Sequence, residues 1–90
     1  MQEDIKKEII ALLSAQNISV NSNVDFNVNG ETVNLSYKFI IDSYMQASQE
    51  AQLVFLAALR KSQKAGNIGI EKFFEGMGKL LLMGSLSDKL

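Results

Sequence analysis

The stretch V-D-F-N-V-N-G-E-T-V-N-L, residues 24–35, decides the fold of this chain. Apolar and polar residues alternate on both sides of Asn29-Gly30, a pair that suits the two positive-φ positions of a type I′ turn. A two-residue loop then places the apolar side chains of both strands on one face and the polar ones on the other. The sequence therefore predicts a β-hairpin, with the cross-strand pairs Val28 with Glu31, Phe26 with Val33 and Val24 with Leu35.

The segment before this stretch predicts a helix and a longer first strand. Residues 3–16 carry apolar side chains at helical spacing, with acidic residues in the first turn, where the helix dipole favours them. From Ile18 to Val28 apolar residues recur at every second position with a gap at Ser22, so the hairpin is predicted over 18–35, with a kink possible at 21–23.

Residues 36–65 read as one long helix or as two. Ser36 is a good N-cap, and no glycine or proline occurs between Tyr37 and Ala65. One helix would be about twice the usual length, so we favour two helices broken near Ala47–Ser48. The second one contains the apolar run Leu53–Leu59, which covers every side of a helix and predicts the central, surrounded element of the fold.

The last predicted helix spans residues 69–84. Gly76 and Gly78 within it indicate close packing against another helix, or a kink, and residues 85–90 are expected to fray. Ninety residues make one domain, 1–90. The predicted fold is α+β and mostly helical: a helix, the hairpin, then two or three helices that cover its apolar face.

The composition excludes several kinds of catalytic and metal-binding site. The chain has no cysteine and no histidine, so it lacks a thiolate nucleophile, a Ser-His-Asp arrangement and the commonest metal ligands. Gly76-Met77-Gly78-Lys79 is not a phosphate-binding loop, because Leu80 follows the lysine and no strand precedes. We therefore predict no catalytic, cofactor-binding or metal-binding residues and a protein that is not an enzyme.

Localisation follows by default. The longest apolar run has seven residues, far short of the ~20 that a membrane span requires. No signal peptide is visible, and we expect a cytoplasmic protein without a membrane span.

One basic cluster, Arg60, Lys61 and Lys64, leaves a nucleic-acid role as the alternative. A helix-turn-helix drawn over 37–64 would make a small nucleic-acid-associated regulator. Against it, the reading helix is apolar across its middle, the hinge lacks glycine and the net charge is −1. The simpler explanation is that these cations interact favourably with the negative C-terminal end of the helix dipole.

The favoured function is a small non-enzymatic interaction module, an adaptor or inhibitor of another protein, that forms a homodimer. The last helix carries more apolar surface than one stripe can bury, and contiguous apolar patches usually mark interfaces. No sequence family is recognised in the chain. The predicted interface residues are Phe73, Phe74, Met77, Leu80 and Leu81.

Overall fold

The computed structural model describes the backbone of residues 2–89 and the side chains of residues 4–83. The predicted α+β, mostly helical class is confirmed, with the hairpin between the first helix and the others. In chain order the elements are α1 (Gln2–Ala15), β1 (Asn23–Val28), β2 (Glu31–Ser36), α2 (Tyr37–Tyr44), α3 (Gln49–Ser62), a 3₁₀ turn (Gln63–Ala65) and α4 (Gly66–Lys89).

The hairpin has the predicted register and turn. All three predicted cross-strand pairs are present in an antiparallel pair of strands. Asn29 and Gly30 have φ angles of 53° and 86°, as a type I′ turn requires. The first strand begins at Asn23 and not at Ile18, because the residues before it form a turn in which the Ser22 hydroxyl donates to the Ser19 carbonyl over 2.6 Å.

Serine caps divide the segment after the hairpin into two helices. The Ser36 Oγ accepts a hydrogen bond from the Phe39 N–H over 3.0 Å at the start of α2. The Ser48 Oγ accepts one from the Ala51 N–H over 3.2 Å at the start of α3. Each cap satisfies an N–H that the first turn of a helix leaves free, which explains why the chain breaks at Ser48.

The core lies where the hairpin's apolar face meets the helices. Val24 and Phe26 of β1 are buried where β1 packs against α4, while α2 packs against β2 and α1 packs against α3. At Gly78 of α4 the Phe26 ring comes so close that a Cβ would lie 2.8 Å from it. The predicted close packing at this glycine is therefore present, but its partner is a strand residue of the same chain.

Helix α3 is a surface helix, so its predicted central position is wrong. Its buried residues follow one stripe with helical spacing: Gln52, Phe55, Leu56 and Leu59. Leu53 and Val54, inside the same apolar run, are 50% and 64% exposed. The last helix, α4, packs against α2, α3 and β1 and thus holds the more central position.

The frayed tail expected over residues 85–90 stays a prediction, and the described backbone of that segment is helical. Helix α4 continues through residues 85–89, and only Leu90 of the predicted tail lies outside the described backbone. Gly84 is the residue near this end that disfavours a helix most, and a glycine inside a helix costs only about 1 kcal/mol relative to alanine. Without a proline to follow, that cost does not end the helix.

Candidate functional site

Helix α4 carries two neighbouring apolar stripes. Ile70, Phe74 and Gly78, each four residues apart, face the core, and the first two have no exposed surface. Phe73, Met77 and Leu80 are displaced by about a quarter-turn, and their exposure rises along the helix from half-buried to 57% at Leu80. The second stripe therefore reaches the surface beside α3.

An open groove of about 560 Å³ lies between this second stripe and α3, and we call it the α3–α4 groove. Its walls are almost entirely apolar or aromatic, and its one ionisable carboxylate is at Glu50. The lining residues are Tyr44, Ser48, Glu50, Ala51, Val54, Phe55, Ala58, Phe73 and Met77.

Aromatic rings form the base of the groove. The Phe55 ring centre lies 5.0 Å from those of both Tyr44 and Phe73, and 5.8 Å from that of Phe74. Most of these rings meet edge to face, an arrangement that adds stabilisation beyond the area buried. Phe55 is only 1% exposed, so the base of the groove is continuous with the core.

Tyr44 connects the end of α2 to α4. Its hydroxyl donates a hydrogen bond to the Met77 carbonyl oxygen over 2.9 Å, so a polar group on the groove wall is already occupied. Burial raises the pKa of the Tyr44 phenol, because desolvation disfavours the phenolate. Tyr44 is therefore a neutral hydrogen-bond donor over the physiological pH range.

Gln52 fixes the turn between α2 and α3. Its side-chain amide donates to the carbonyls of Met45, over 3.1 Å, and Ala47, over 2.9 Å, although the residue is only 2% exposed. Its Oε1 has no hydrogen-bond partner among the described residues. Gln52 is not among the residues predicted from the sequence. The available signal was its position three residues before Phe55, on the buried stripe of an otherwise apolar helix face.

The predicted interface residues do not form one surface. Phe73 and Met77 line the groove, and Leu80 continues the exposed stripe beyond them. Phe74 has no exposed surface and belongs to the chain's own core, while the half-buried Leu81 packs against that core. Neither Phe74 nor Leu81 can present a large contact area in this fold. Tyr44, Val54 and Phe55 are groove residues that the sequence analysis did not assign to an interface.

The predicted basic cluster is partly neutralised. Arg60 forms a salt bridge with Glu8 of α1, in which its Nε lies 2.6 Å from the carboxylate oxygen. Lys61 and Lys64 are exposed at the end of α3 and in the 3₁₀ turn.

A second charged cluster lies between α1 and α2. The Asp42 carboxylate is 2.8 Å from the Lys6 ammonium and 3.0 Å from that of Lys38. Hydrogen bonds from Lys6 and then Lys38 lower the pKa of Asp42. Both ammonium groups share one carboxylate at the surface, which makes this an ion-pair network between neighbouring helices.

Neither a metal site nor a membrane span is found in the described part of the chain. The described residues contain no group of three or more acidic side chains placed to hold a metal ion. None of the helices, over the same part of the chain, is long and apolar enough to cross a membrane.

Comparison with known proteins identifies no relative. No family model, no curated protein and no solved structure matches this chain.

Proposed function

We propose that the chain is a small non-enzymatic interaction module, an adaptor or inhibitor of another protein, and that the α3–α4 groove binds apolar side chains of that protein. The observation that carries this proposal is the exposure of apolar residues along the groove. Val54 on its α3 wall is 64% exposed, and Leu80 beyond its α4 wall is 57% exposed. Exposed apolar surface that adjoins a concave site is typical of protein-binding surfaces.

The polar groups of the groove favour a protein over a specific small ligand. Small-molecule sites usually combine apolar walls with a few polar groups that are free to orient the ligand. Here the Tyr44 hydroxyl donates to the Met77 carbonyl, and the Ser48 hydroxyl accepts from the Ala51 N–H. Both hydroxyls therefore make a hydrogen bond within the fold, and apart from these two groups and Glu50 the lining of the groove is apolar or aromatic.

The extent of the apolar surface also favours a protein. Met77, Leu80 and Met83 are spaced three residues apart on α4, and the last two are each 57% exposed. The surface thus continues along the helix past the end of the groove. An amphipathic helix of a partner would cover such an elongated surface by placing its apolar stripe in the groove.

The chemistry of the groove supports a non-enzymatic role. General acid–base catalysis needs a titratable group held close to a reacting atom, and usually one with a perturbed pKa. Glu50 is the one carboxylate on the groove wall, and it is exposed in the first turn of α3. The chain supplies no histidine or cysteine to accompany it.

The salt bridge between Arg60 and Glu8 weighs against the nucleic-acid alternative. A helix that binds a phosphate backbone needs cations free to replace counterions. The Glu8 carboxylate accepts from Arg60 and cancels part of the local positive charge. The predicted homodimer stays a prediction, and the groove proposal does not depend on it.

Neighbouring residues of α3 offer a matched test. Val54 lines the groove, whereas Leu53 is exposed to a similar degree and does not line it. The full chain, with a photo-crosslinking amino acid at position 54 or 53, would be used as bait in a lysate of the organism that expresses it. We expect one stoichiometric protein to crosslink at position 54, and mass spectrometry should locate the contact in an apolar segment of that protein.

The same purified protein is then tested against two variants. Val54→Glu should abolish its binding, because the charge would be desolvated in the groove, while Leu53→Glu should bind like the wild type. Equal loss in both variants, or crosslinking from position 53 alone, would contradict the groove proposal. Circular dichroism of both variants verifies that the fold is retained.

A further inference from the structure

The hairpin is a sheet of two strands, so each strand has one edge that pairs with no other strand within residues 2–89. Proteins usually protect such edges with lysine, proline or a bulge. Neither β1 nor β2 contains lysine or proline, and the six cross-strand pairs follow one another without a bulge. Both edges are therefore open to pairing with another strand.

The backbone groups at these edges can be identified. The Tyr37 N–H donates to the Ser22 carbonyl over 3.1 Å, which continues the ladder of the hairpin beyond the strand ends. Hydrogen-bonded pairs alternate with non-bonded pairs in an antiparallel ladder. It follows that Thr32 and Asn34 direct their N–H and C=O groups away from β1, and neither residue makes a backbone hydrogen bond elsewhere in the described chain.

Burial distinguishes the edge of β2 from that of β1. The inward-facing Val24 and Phe26 of β1 are 2% and 5% exposed, whereas Val33 and Leu35 of β2 are only half-buried. The helices thus cover β1 more completely than β2. A strand added beside β2 would pair its free backbone groups and also bring apolar side chains against Val33 and Leu35.

Charge favours a second copy of β2 as the added strand. The outward-directed positions of β2 are the uncharged Thr32 and Asn34, and its one charged residue is Glu31. In an antiparallel pair centred on Val33, Thr32 of each copy lies opposite Asn34 of the other, and Glu31 lies opposite Leu35. No like charges are then directly opposed. Pairing through β1 would bring Asp25, at an outward-directed position, close to its own copy.

We propose that two copies of this chain associate through the edge of β2, which joins their hairpins into a four-stranded antiparallel sheet around a twofold axis at Val33. This surface is separate from the α3–α4 groove, so the inference does not rest on the proposed function. The twofold arrangement uses the β2 edge of both copies and leaves the two β1 edges at the outside of the sheet, where Asp25 opposes pairing with a further β1 strand. Pairing of β1 with β2 of another copy would leave free edges and form longer assemblies.

Hydrogen exchange of the full chain tests the inference directly. At concentrations above the dimer Kd, the Thr32 and Asn34 amides should exchange more slowly than in dilute protein. The Asp25 and Asn27 amides are the internal control, because they point to the opposite edge and should exchange at a rate independent of concentration. Sedimentation velocity on the same samples should show a dimer and no larger species.

Paired lysine variants provide the second test. The double variant Thr32→Lys/Asn34→Lys places lysines opposite one another in the proposed dimer and should raise its Kd by about tenfold or more. The matched control Asp25→Lys/Asn27→Lys changes the same positions on β1 and should leave the Kd unchanged. All four residues are exposed, but the Asn27 Oδ1 accepts a hydrogen bond from the Gly30 N–H over 2.9 Å, so circular dichroism of both variants must verify that the hairpin is retained.

Three results would overturn the inference. The first is a wild type that remains monomeric at high micromolar concentration. The second is a dimer that the β1 variant weakens as much as the β2 variant. The third is a dimer that is lost in Leu80→Glu but not in the β2 variant, because that result would place the contact on α4. The groove proposal has a separate readout, since Val54→Glu should leave the dimer unchanged.

Discussion

The hairpin and helix α3 are both rich in apolar residues, yet they distribute them differently. In the hairpin, apolar and polar residues alternate, and the more enclosed strand buries Val24 and Phe26 while Asp25 between them stays exposed. In α3, seven consecutive apolar residues contain both the fully buried Phe55 and the exposed Val54. In the hairpin, the sequence pattern thus indicates which face of the element an apolar residue lies on. In α3 it does not.

The difference shows what each pattern encodes. Alternation with period two assigns every strand residue to a face, and a two-residue turn fixes which residues lie opposite one another. A continuous apolar run has no helical period, so it leaves open which stripe of the helix is buried. In α3 the packing of the neighbouring helices decides this, and it selects the stripe that contains Phe55 and Leu59.

The largest expected effect compares two adjacent residues of that run. Phe55→Ala should lower the free energy of unfolding by about 3–5 kcal/mol, because it removes a ring that contacts three other aromatic side chains. Val54→Ala should change it by no more than about 0.5 kcal/mol, since Val54 is mostly exposed. Urea denaturation of both variants measures the difference. Similar losses in the two would mean that α3 is buried on both sides, as its composition alone had indicated.

The candidate site could be predicted only in part, for the same reason. The stripe of Phe73, Met77 and Leu80 is visible as apolar residues at helical spacing, and the sequence analysis assigned these residues to an interface. Phe74 was grouped with them because it is equally apolar. Its burial depends on the position of α4 against the hairpin, which no local pattern contains.

The groove itself lay beyond sequence reasoning. It needs Tyr44 from α2, Val54 from α3 and Met77 from α4 at one place, and the angles between helices set that arrangement. The turn between α2 and α3 also depends on Gln52, whose amide donates to two carbonyls of that turn. A buried polar residue is difficult to predict, because its partners are distant backbone groups.

The junction between the hairpin and α4 gives the second comparison. A Cβ at Gly78 would lie 2.8 Å from the Phe26 ring, whereas at Gly76 it would meet no atom within 4 Å. Both glycines lie inside α4, so replacement by alanine improves helix propensity equally, by about 1 kcal/mol. Gly76→Ala should therefore stabilise the protein. Gly78→Ala should be less stable than Gly76→Ala by about 1–3 kcal/mol, because it overpacks the core.

Thermal unfolding of these two alanine variants measures the difference between them. Their comparison cancels the propensity term and isolates the contact with Phe26. Equal stabilisation by both substitutions would show that α4 does not press on the hairpin at this point, and the burial of Phe26 would then need another cause.

The smallest expected effect tests the turn that determines the hairpin register. Gly30 has φ of 86°, and a Cβ added there would meet no atom within 4 Å, so a substitution acts through the backbone alone. Gly30→Val should cost about 1–2 kcal/mol, because a β-branched residue is strained at positive φ. Asn29→Ala should cost less than Gly30→Val. Asn29 has a φ of 53°, and the unbranched alanine side chain is less strained at positive φ than the β-branched valine.

Chemical denaturation gives both values, and cross-strand nuclear Overhauser effects between Phe26 and Val33 report whether the register is retained. If Gly30→Val left the stability unchanged, the turn would not be holding this residue at positive φ, and the type I′ assignment would fail.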